Sequence, residues 1–298
     1  MENKLTVKDS SISFLTSVVL CQFGTLFFAA FGLIIASMFG VKNETFLAFV
    51  NTALGYLLLT LFMDVLLVLT FFLFNKNKNN QIISKPTTKK VLTYVLLALA
   101  CYILLYPIVT VFNSVIYNFF PTNDLTYKLT TANYFVSLVS LVLLPAVAEE
   151  LIFRGIIFKG LQKRSNRFAI IISSIMFSLF HLSLEQTIYP ILMGIVLAVI
   201  MCYENNIIYC ITVHLINNFI SLTLKYFNIS LAFNHWSYYL IALACAIIFT
   251  TLSTIVIRKL KTPKQKVENE HIAYLIICTG IIFIIWLVAQ ISIIFKGI

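Results

Sequence analysis

Long apolar runs alternate with short polar segments along the whole chain, a pattern typical of a bundle of membrane-spanning helices. A helix of about 20 apolar residues crosses the hydrocarbon layer of a bilayer. The second run is long enough to require tilt or an irregularity. The fifth and sixth runs are short, and they form one re-entrant unit if the number of spans is eight. The pattern predicts an all-α fold with about nine transmembrane helices, near residues 12–39, 45–74, 91–117, 133–158, 168–184, 187–203, 207–227, 236–257 and 271–295.

Composition indicates the same class of protein. The chain has 298 residues, of which 60% are hydrophobic and 11% charged, whereas soluble domains carry about 25% charged residues. Residues 1–298 are therefore predicted to form a single integral membrane domain. The net charge of +10 does not indicate a nucleic-acid partner, because nearly all basic residues fall in short loops between the apolar runs. The expected partners are the lipid bilayer and a peptide or protein at the membrane, and the oligomeric state stays open.

The distribution of lysine and arginine predicts the orientation of the chain. With nine spans, sixteen basic residues fall on one side of the membrane and four on the other, while Arg154 lies within a span. Loops rich in basic residues stay in the cytoplasm. The N-terminus is therefore predicted to be cytoplasmic and the C-terminus to lie outside.

The fourth apolar run contains Glu149, Glu150 and Arg154, although a charge at membrane depth costs about 2.5–3.5 kcal/mol on insertion scales. Glu150 and Arg154 are spaced i, i+4 with the acid on the N-terminal side, which favours an ion pair. Glu149 is rotated about 100° from Glu150 and has no partner in its own helix. Pro145 is expected to kink the helix one turn before Glu149. Glu149 is thus the acid that most needs a functional explanation.

Two further runs bring polar side chains into the membrane. His181 lies in the fifth run, and His214, Asn217 and Asn218 lie in the seventh. His214 and Asn218 share one helix face because they are four residues apart. The helical rise places Glu149 and these side chains about 10–20 Å from the cytoplasmic ends of their spans. Convergence of the three helices on one site is therefore possible.

These residues form three short motifs in order along the chain. The motifs are Glu149-Glu150-Leu-Ile-Phe-Arg154-Gly155, Phe177-x-x-x-His181 and His214-x-x-x-Asn218. Together they resemble the intramembrane proteases related to the eukaryotic CAAX prenyl endopeptidases, whose bacterial relatives are linked to bacteriocin processing and self-immunity. The first motif is the most specific of the three. The resemblance covers about residues 133–230, the predicted catalytic core.

The resemblance implies an intramembrane endopeptidase whose site opens towards the cytoplasm. Glu149 would act as the general base that activates a water molecule, and His181 would help to hold that water. His214 and Asn218 would stabilise the oxyanion of the tetrahedral intermediate. The residues expected to support the site are Glu150, Arg154, Phe177 and Asn217.

The use of a metal is left open by the resemblance, since this family is often described as metalloproteases. Glu149, His181 and His214 could bind zinc and leave one coordination position open, in which case Glu150 would be the base. The chain lacks the zinc signature His-Glu-x-x-His. We therefore favour a site that requires no cofactor, with zinc as the alternative.

Two other functions compete with proteolysis. The chain could be a non-catalytic scaffold, immunity or regulatory protein that retains the fold, or a proton- or ion-coupled transporter using Asp64 in the second run. The family resemblance offers prenylated tails or leader-bearing peptides as substrates. Frequent Ile, Asn, Lys and Phe suggest an AT-rich genome, so a bacterial cell membrane and a peptide-maturation substrate are expected.

Overall fold

The structure is a computed structural model that describes residues 4–119, 131–229, 236–260 and 269–296. Within these ranges every regular element is a helix, which confirms the all-α prediction. The elements are α1 (Val7–Met38), α2 (Asn43–Val50), α3 (Ala53–Asn75), α4 (Thr88–Phe119), α5 (Thr131–Ser137), π1 (Leu138–Leu143), α6 (Leu144–Ile152), π2 (Phe153–Phe158), α7 (Lys159–Leu161), α8 (Asn166–Phe180), α9 (Ile188–Glu204), α10 (Ile207–Tyr226), α11 (Trp236–Lys259) and α12 (Asn269–Lys296).

Seven helical stretches of the described chain are long and apolar enough to cross a membrane. They are α1, α3, α4, α10, α11, α12 and the continuous stretch Asn133–Leu161. Helices α8 and α9 are also apolar but have only 15 and 17 residues. Eight of the nine predicted runs therefore correspond to one continuous helical stretch each, the second run contains both α2 and α3, and the fifth and sixth runs are the short pair. The protein is a polytopic helical bundle and an integral membrane protein.

The second apolar run is broken rather than tilted. Helix α2 ends at Val50, and α3 begins after Thr52, whose hydroxyl accepts a hydrogen bond of 3.2 Å from the Gly55 amide. A Cβ atom on Gly55 would lie 2.3 Å from the carbonyl oxygen of Phe49. The two helices approach so closely that only glycine fits at this position.

The fourth span is continuous but changes its helical type. Pro145 lies in the first turn of α6, directly after the π-helical stretch π1, and π2 follows α6. Such wide turns insert an extra residue and are frequent at functional sites. The irregularity expected at Pro145 thus takes the form of a π-helical turn, and the short helix α6 between the two turns carries Glu149 and Glu150.

Packing around the fourth span forms the core of the bundle. Helix α1 contacts α3, α12 and π2, helix α4 contacts α10 and α11, and α8 pairs with α9. The side chains of Phe14, Phe153 and Phe158 are fully buried between these elements. The outer helices α11 and α12 expose large apolar side chains such as Leu243 and Ile284. Lipid contact accounts for such faces in a spanning helix.

One end of the bundle is covered by the chain between α3 and α4. Ile82 is only 3% exposed, and its carbonyl oxygen accepts a 2.8 Å hydrogen bond from the Ile207 amide. Asn80 donates to the Gly155 carbonyl oxygen at 2.8 Å, and Asn206 donates to the Ser84 carbonyl oxygen at 2.9 Å. We call this the basic end, defined by residues 76–87, 162–165 and 205–206.

The variant Gly160→Ala is expected to lower the thermal unfolding midpoint of the purified protein. The added Cβ atom would lie 2.0 Å from the Ser10 hydroxyl oxygen and 2.2 Å from the Thr6 carbonyl oxygen. Overpacking of this kind costs about 1–3 kcal/mol. Gly280→Ala is the control, since its Cβ meets nothing within 4 Å in the described chain. Equal midpoints for the two variants would contradict the packing of α1 on α7.

Candidate active site

Glu150 is fully buried and is bound by two side chains. Its Oε2 atom lies 3.2 Å from Arg154 Nε, which is the i, i+4 ion pair expected from the spacing. Its Oε1 atom lies 2.9 Å from His214 Nδ1. A carboxylate only accepts hydrogen bonds, so the Nδ1–H group of His214 donates to Glu150. Glu150 therefore connects α6 to α10 as well as to π2.

Arg154 ties the motif helix to two further elements. Its Nη2 atom donates to the carbonyl oxygen of Gly194 in α9 at 3.4 Å, and its guanidinium carbon lies 4.8 Å from the ring centroid of Phe177 in α8. The side chain is 1% exposed. The cost of burying this charge is offset by the carboxylate of Glu150 and by the aromatic face.

Glu149 lies beside the same histidine but on the open side of the site. Its Oε2 atom is 3.8 Å from His214 Nε2, and its side chain is 13% exposed. His214 thus lies between two glutamates, with Nδ1 bound to Glu150 and Nε2 towards Glu149. If both ring nitrogens are protonated, the imidazolium charge has a carboxylate on each side.

His181 is positioned by the end of α8. Its Nδ1 atom lies 2.8 Å from the carbonyl oxygen of Phe177. A carbonyl oxygen only accepts hydrogen bonds, so Nδ1 carries the proton, and in the neutral ring Nε2 has a lone pair to offer. The chain leaves the helix immediately afterwards, where Leu182 has a φ of 48°.

The ring of Phe177 packs against both histidines. Its centroid lies 5.1 Å from that of His181 and 5.8 Å from that of His214, and both pairs are nearly perpendicular at 85°. Edge-to-face contacts of this kind are favourable. Phe177 therefore restricts the orientation of the two imidazole rings while it covers Arg154.

The two asparagines of α10 have different surroundings. Asn218 donates from Nδ2 to the Leu141 carbonyl oxygen at 3.4 Å and lines the cavity described below. Asn217 is fully buried and donates to the carbonyl oxygens of Val213 and Ala98, at 2.9 and 3.4 Å. Asn217 therefore fixes α10 against α4, whereas Asn218 has its second amide N–H available to the cavity.

A cavity of about 1120 Å³ brings the predicted catalytic side chains together. Glu149, His181, His214 and Asn218 all line it, together with Phe177. Five tyrosines also contribute to its walls: Tyr56, Tyr102, Tyr106, Tyr117 and Tyr189. The four residues that the motifs single out thus reach one space from α6, α8 and α10.

The comparisons with known proteins bear on this same part of the chain. Residues 131–220 match the family model described as type II CAAX prenyl endopeptidase Rce1-like. This central segment is Rce1-like. The match covers less than a third of the chain and includes all three motifs, and it confirms the family that the motifs indicate. At family level it supports an intramembrane protease of the CAAX type. A comparison with curated proteins and one with solved structures each found no match.

The residues of the Rce1-like segment do not form a three-ligand metal site. In the described parts of the chain, no three histidine, cysteine, aspartate or glutamate side chains lie close enough together to hold a metal ion. The alternative zinc set of Glu149, His181 and His214 therefore does not fit a metal in this arrangement. The mechanism proposed below uses no metal.

Asp64 adds a carboxyl group from outside the Rce1-like segment. It lies in α3, is 7% exposed and lines the same cavity as Glu149. Its Oδ2 atom is buried and finds no hydrogen-bond partner among the described residues. Asp64, which the sequence analysis assigned to the alternative function of a transporter, thus lies in the wall of the candidate active site.

The cavity extends away from the basic end of the bundle. Its lining residues include Glu185 and Gln186, in the turn between α8 and α9, which lies at the opposite end. The sequence predicted cytoplasmic basic loops, and the resemblance implied a site open towards the cytoplasm. In this structure these two expectations are incompatible.

The contact between Glu150 and His214 could not be expected from the sequence. Helical spacing identifies pairs within one helix, such as Glu150 and Arg154, but these two residues are 64 positions apart. The same limit applies to the packing of Phe177 against His214. The motifs of the Rce1-like segment indicated which residues matter, whereas the contacts between helices came from the structure.

Proposed function

We propose that the chain is an intramembrane endopeptidase of a bacterial cell membrane, with its N-terminus in the cytoplasm and its C-terminus outside. The observation that carries the proposal is the convergence of Glu149, His181, His214 and Asn218 on one cavity within the membrane-spanning bundle. The Rce1-like match supports the same class of reaction. A leader-bearing or other membrane-associated peptide is the proposed substrate.

Activation of water is assigned to Glu149 and His181. Glu149 is the partly exposed acid of the pair, and the lone pair on His181 Nε2 can accept a hydrogen bond from the same water. Glu149 takes a proton from the water molecule while the water oxygen attacks the carbonyl carbon of the peptide bond. When the tetrahedral intermediate collapses, the peptide C–N bond breaks and Glu149 gives that proton to the departing amine.

Stabilisation of the oxyanion is assigned to His214 and Asn218. Since the Nδ1 proton of His214 is engaged by Glu150, donation from Nε2 requires the doubly protonated ring. The second amide N–H of Asn218 supplies the other donor. Groups held in place before the reaction stabilise developing charge without reorganisation.

Cleavage by the reconstituted protein tests this function. Single-span peptides are incorporated with the full chain into liposomes, and new chain ends are detected by mass spectrometry. Cleavage by the wild type and its loss in His181→Ala would support the proposal. Unchanged peptides with correctly folded wild type would favour the scaffold function, and cleavage that requires added metal would support the zinc alternative.

The variant Asn218→Ala is expected to reduce kcat by about 10²–10³, with a smaller effect on KM. Its amide would donate to the oxyanion, which exists only after attack on the carbonyl group. The matched control is Ser221→Ala, which removes a polar group from the same helix and the same cavity, one turn further along α10. This control is expected to keep nearly all activity. Equal losses in the two variants would contradict the assigned role of Asn218.

A further inference from the structure

The cavity draws its lining from one end of the bundle. From α3 it uses residues 56–67, in the first two thirds of the helix, and from α4 it uses residues 102–117, from about the middle of the helix onwards. From α10 it uses residues 214–225, again the later part. Helix α3 runs towards the basic end, whereas α4 and α10 both begin at that end and run away from it, so these stretches lie at the same end of the bundle.

The basic end of the bundle is covered by protein. Ile82 is buried there, and its backbone is bonded to the first residue of α10. A Cβ atom on Gly155 would approach Ile82 Cδ1 to 3.0 Å, so this segment packs directly on the motif span. Lys78 forms a 3.2 Å ion pair with Asp9, which ties the same segment to α1. The approach to Glu149 that the described residues leave is therefore from the other end.

The distribution of lysine and arginine between the two ends of the bundle predicts which side of the membrane each end faces. Five of the sixteen basic residues lie within the basic end, and four more lie within three residues of it, against four on the opposite side: Lys76, Lys78, Lys85, Lys163 and Arg164 within it, and Lys89, Lys90, Lys159 and Arg167 next to it. Short loops with such an excess stay in the cytoplasm. The covered end is then cytoplasmic, and the cavity opens to the non-cytoplasmic side.

The chemistry of the walls indicates the conformation of the peptide. An unwound segment within a membrane loses its helical hydrogen bonds, and its backbone N–H and C=O groups then need polar partners from the protein. Tyrosine rings contact apolar side chains while their hydroxyl groups bond polar atoms. The rings of the five tyrosines in this cavity can contact the apolar side chains of an extended segment, and their hydroxyl groups can bond its backbone N–H and C=O groups.

We propose that the site accepts extended, apolar segments of membrane-inserted peptides from the non-cytoplasmic side of the membrane. This inference rests on the proposed function and narrows its substrate class. It disfavours prenylated tails that remain in the cytoplasm. It favours a peptide whose scissile bond lies in the outer half of the bilayer, such as the membrane segment of an exported precursor.

Thiol labelling of intact cells tests the direction of opening without relying on activity. Gln186→Cys places a thiol at the exposed edge of the cavity, and Asn79→Cys places one at the exposed basic end. A membrane-impermeant maleimide is expected to label Gln186→Cys in intact cells and Asn79→Cys only after the membrane is opened. The parent chain with its six native cysteines gives the background. Labelling in the reverse order would overturn the proposal.

A paired activity measurement separates this inference from the proposed function. Full-length protein is reconstituted in one orientation with single-span peptides whose cleavable segment lies near either surface. Cleavage only of the peptide with its segment near the Gln186 surface is expected. Cleavage only near the Asn79 surface would refute the direction but keep the protease. Labelling as predicted with no cleavage of either peptide would refute the protease, and this inference with it.

Discussion

Replacing Glu149 with glutamine is expected to lower kcat for peptide cleavage by about 10²–10⁴, the usual contribution of a positioned general base. The amide keeps the size of the side chain, so the fold and the affinity for substrate should be retained. The rate is measured on the same membrane-embedded peptide as for the wild type, at equal amounts of folded protein. The loss is expected in kcat, because the proton transfer takes place in the transition state.

Glu185→Gln provides the matched control for this experiment. Glu185 is a second glutamate lining the cavity, in the turn after α8, and it has no role in the proposed chemistry. Its variant is expected to cleave the peptide at nearly the wild-type rate. Normal cleavage by Glu149→Gln together with loss of activity in Asp64→Asn would move the role of base to Asp64.

Replacing Glu150 with alanine is expected to lower stability more than any other single change discussed. Arg154 would remain buried without its carboxylate, and breaking a buried ion pair in this way costs about 3–5 kcal/mol. His214 would also lose the acceptor that orients its ring. Both the thermal unfolding midpoint and the cleavage rate should therefore fall.

The double variant Glu150→Leu with Arg154→Met separates these two effects, because leucine offers no acceptor to His214 Nδ1. It removes both charges of the buried pair, so its unfolding midpoint is expected to lie above that of Glu150→Ala. Its activity should stay low, because the carboxylate that binds His214 Nδ1 is still missing. Glu270→Ala removes one side of an exposed ion pair with Lys8 and should leave both readouts near wild type. Full activity of the double variant would contradict the orienting role of Glu150.

The spans and the family could be predicted from the sequence because both depend on local order along the chain. Hydropathy identified the helices, since every backbone group inside a bilayer must be bonded within its own segment. The spacing of Glu150 and Arg154 fixed their pairing in the same way. The break at Thr52 was anticipated only as an irregularity, because the close approach of Gly55 to Phe49 depends on how the two helices fold back.

The shape of the site required the structure. Neither the bond from His214 to Glu150 nor the position of Asp64 beside the Glu149 cavity follows from spacing within a helix. The direction in which the cavity opens depends on which part of each helix lines it, and on the burial of Ile82 at the basic end. Both are properties of packing between helices.

The most direct test of the central claim is one cleavage reaction run with metal-free protein in water enriched in the heavy oxygen isotope. The account predicts that wild type places one heavy oxygen atom in the new carboxyl group, and that Glu149→Gln forms almost no product. Cleavage by Glu149→Gln at the wild-type rate, or wild-type activity that returns only when metal is added, would contradict the assignment of Glu149 as the base that activates water.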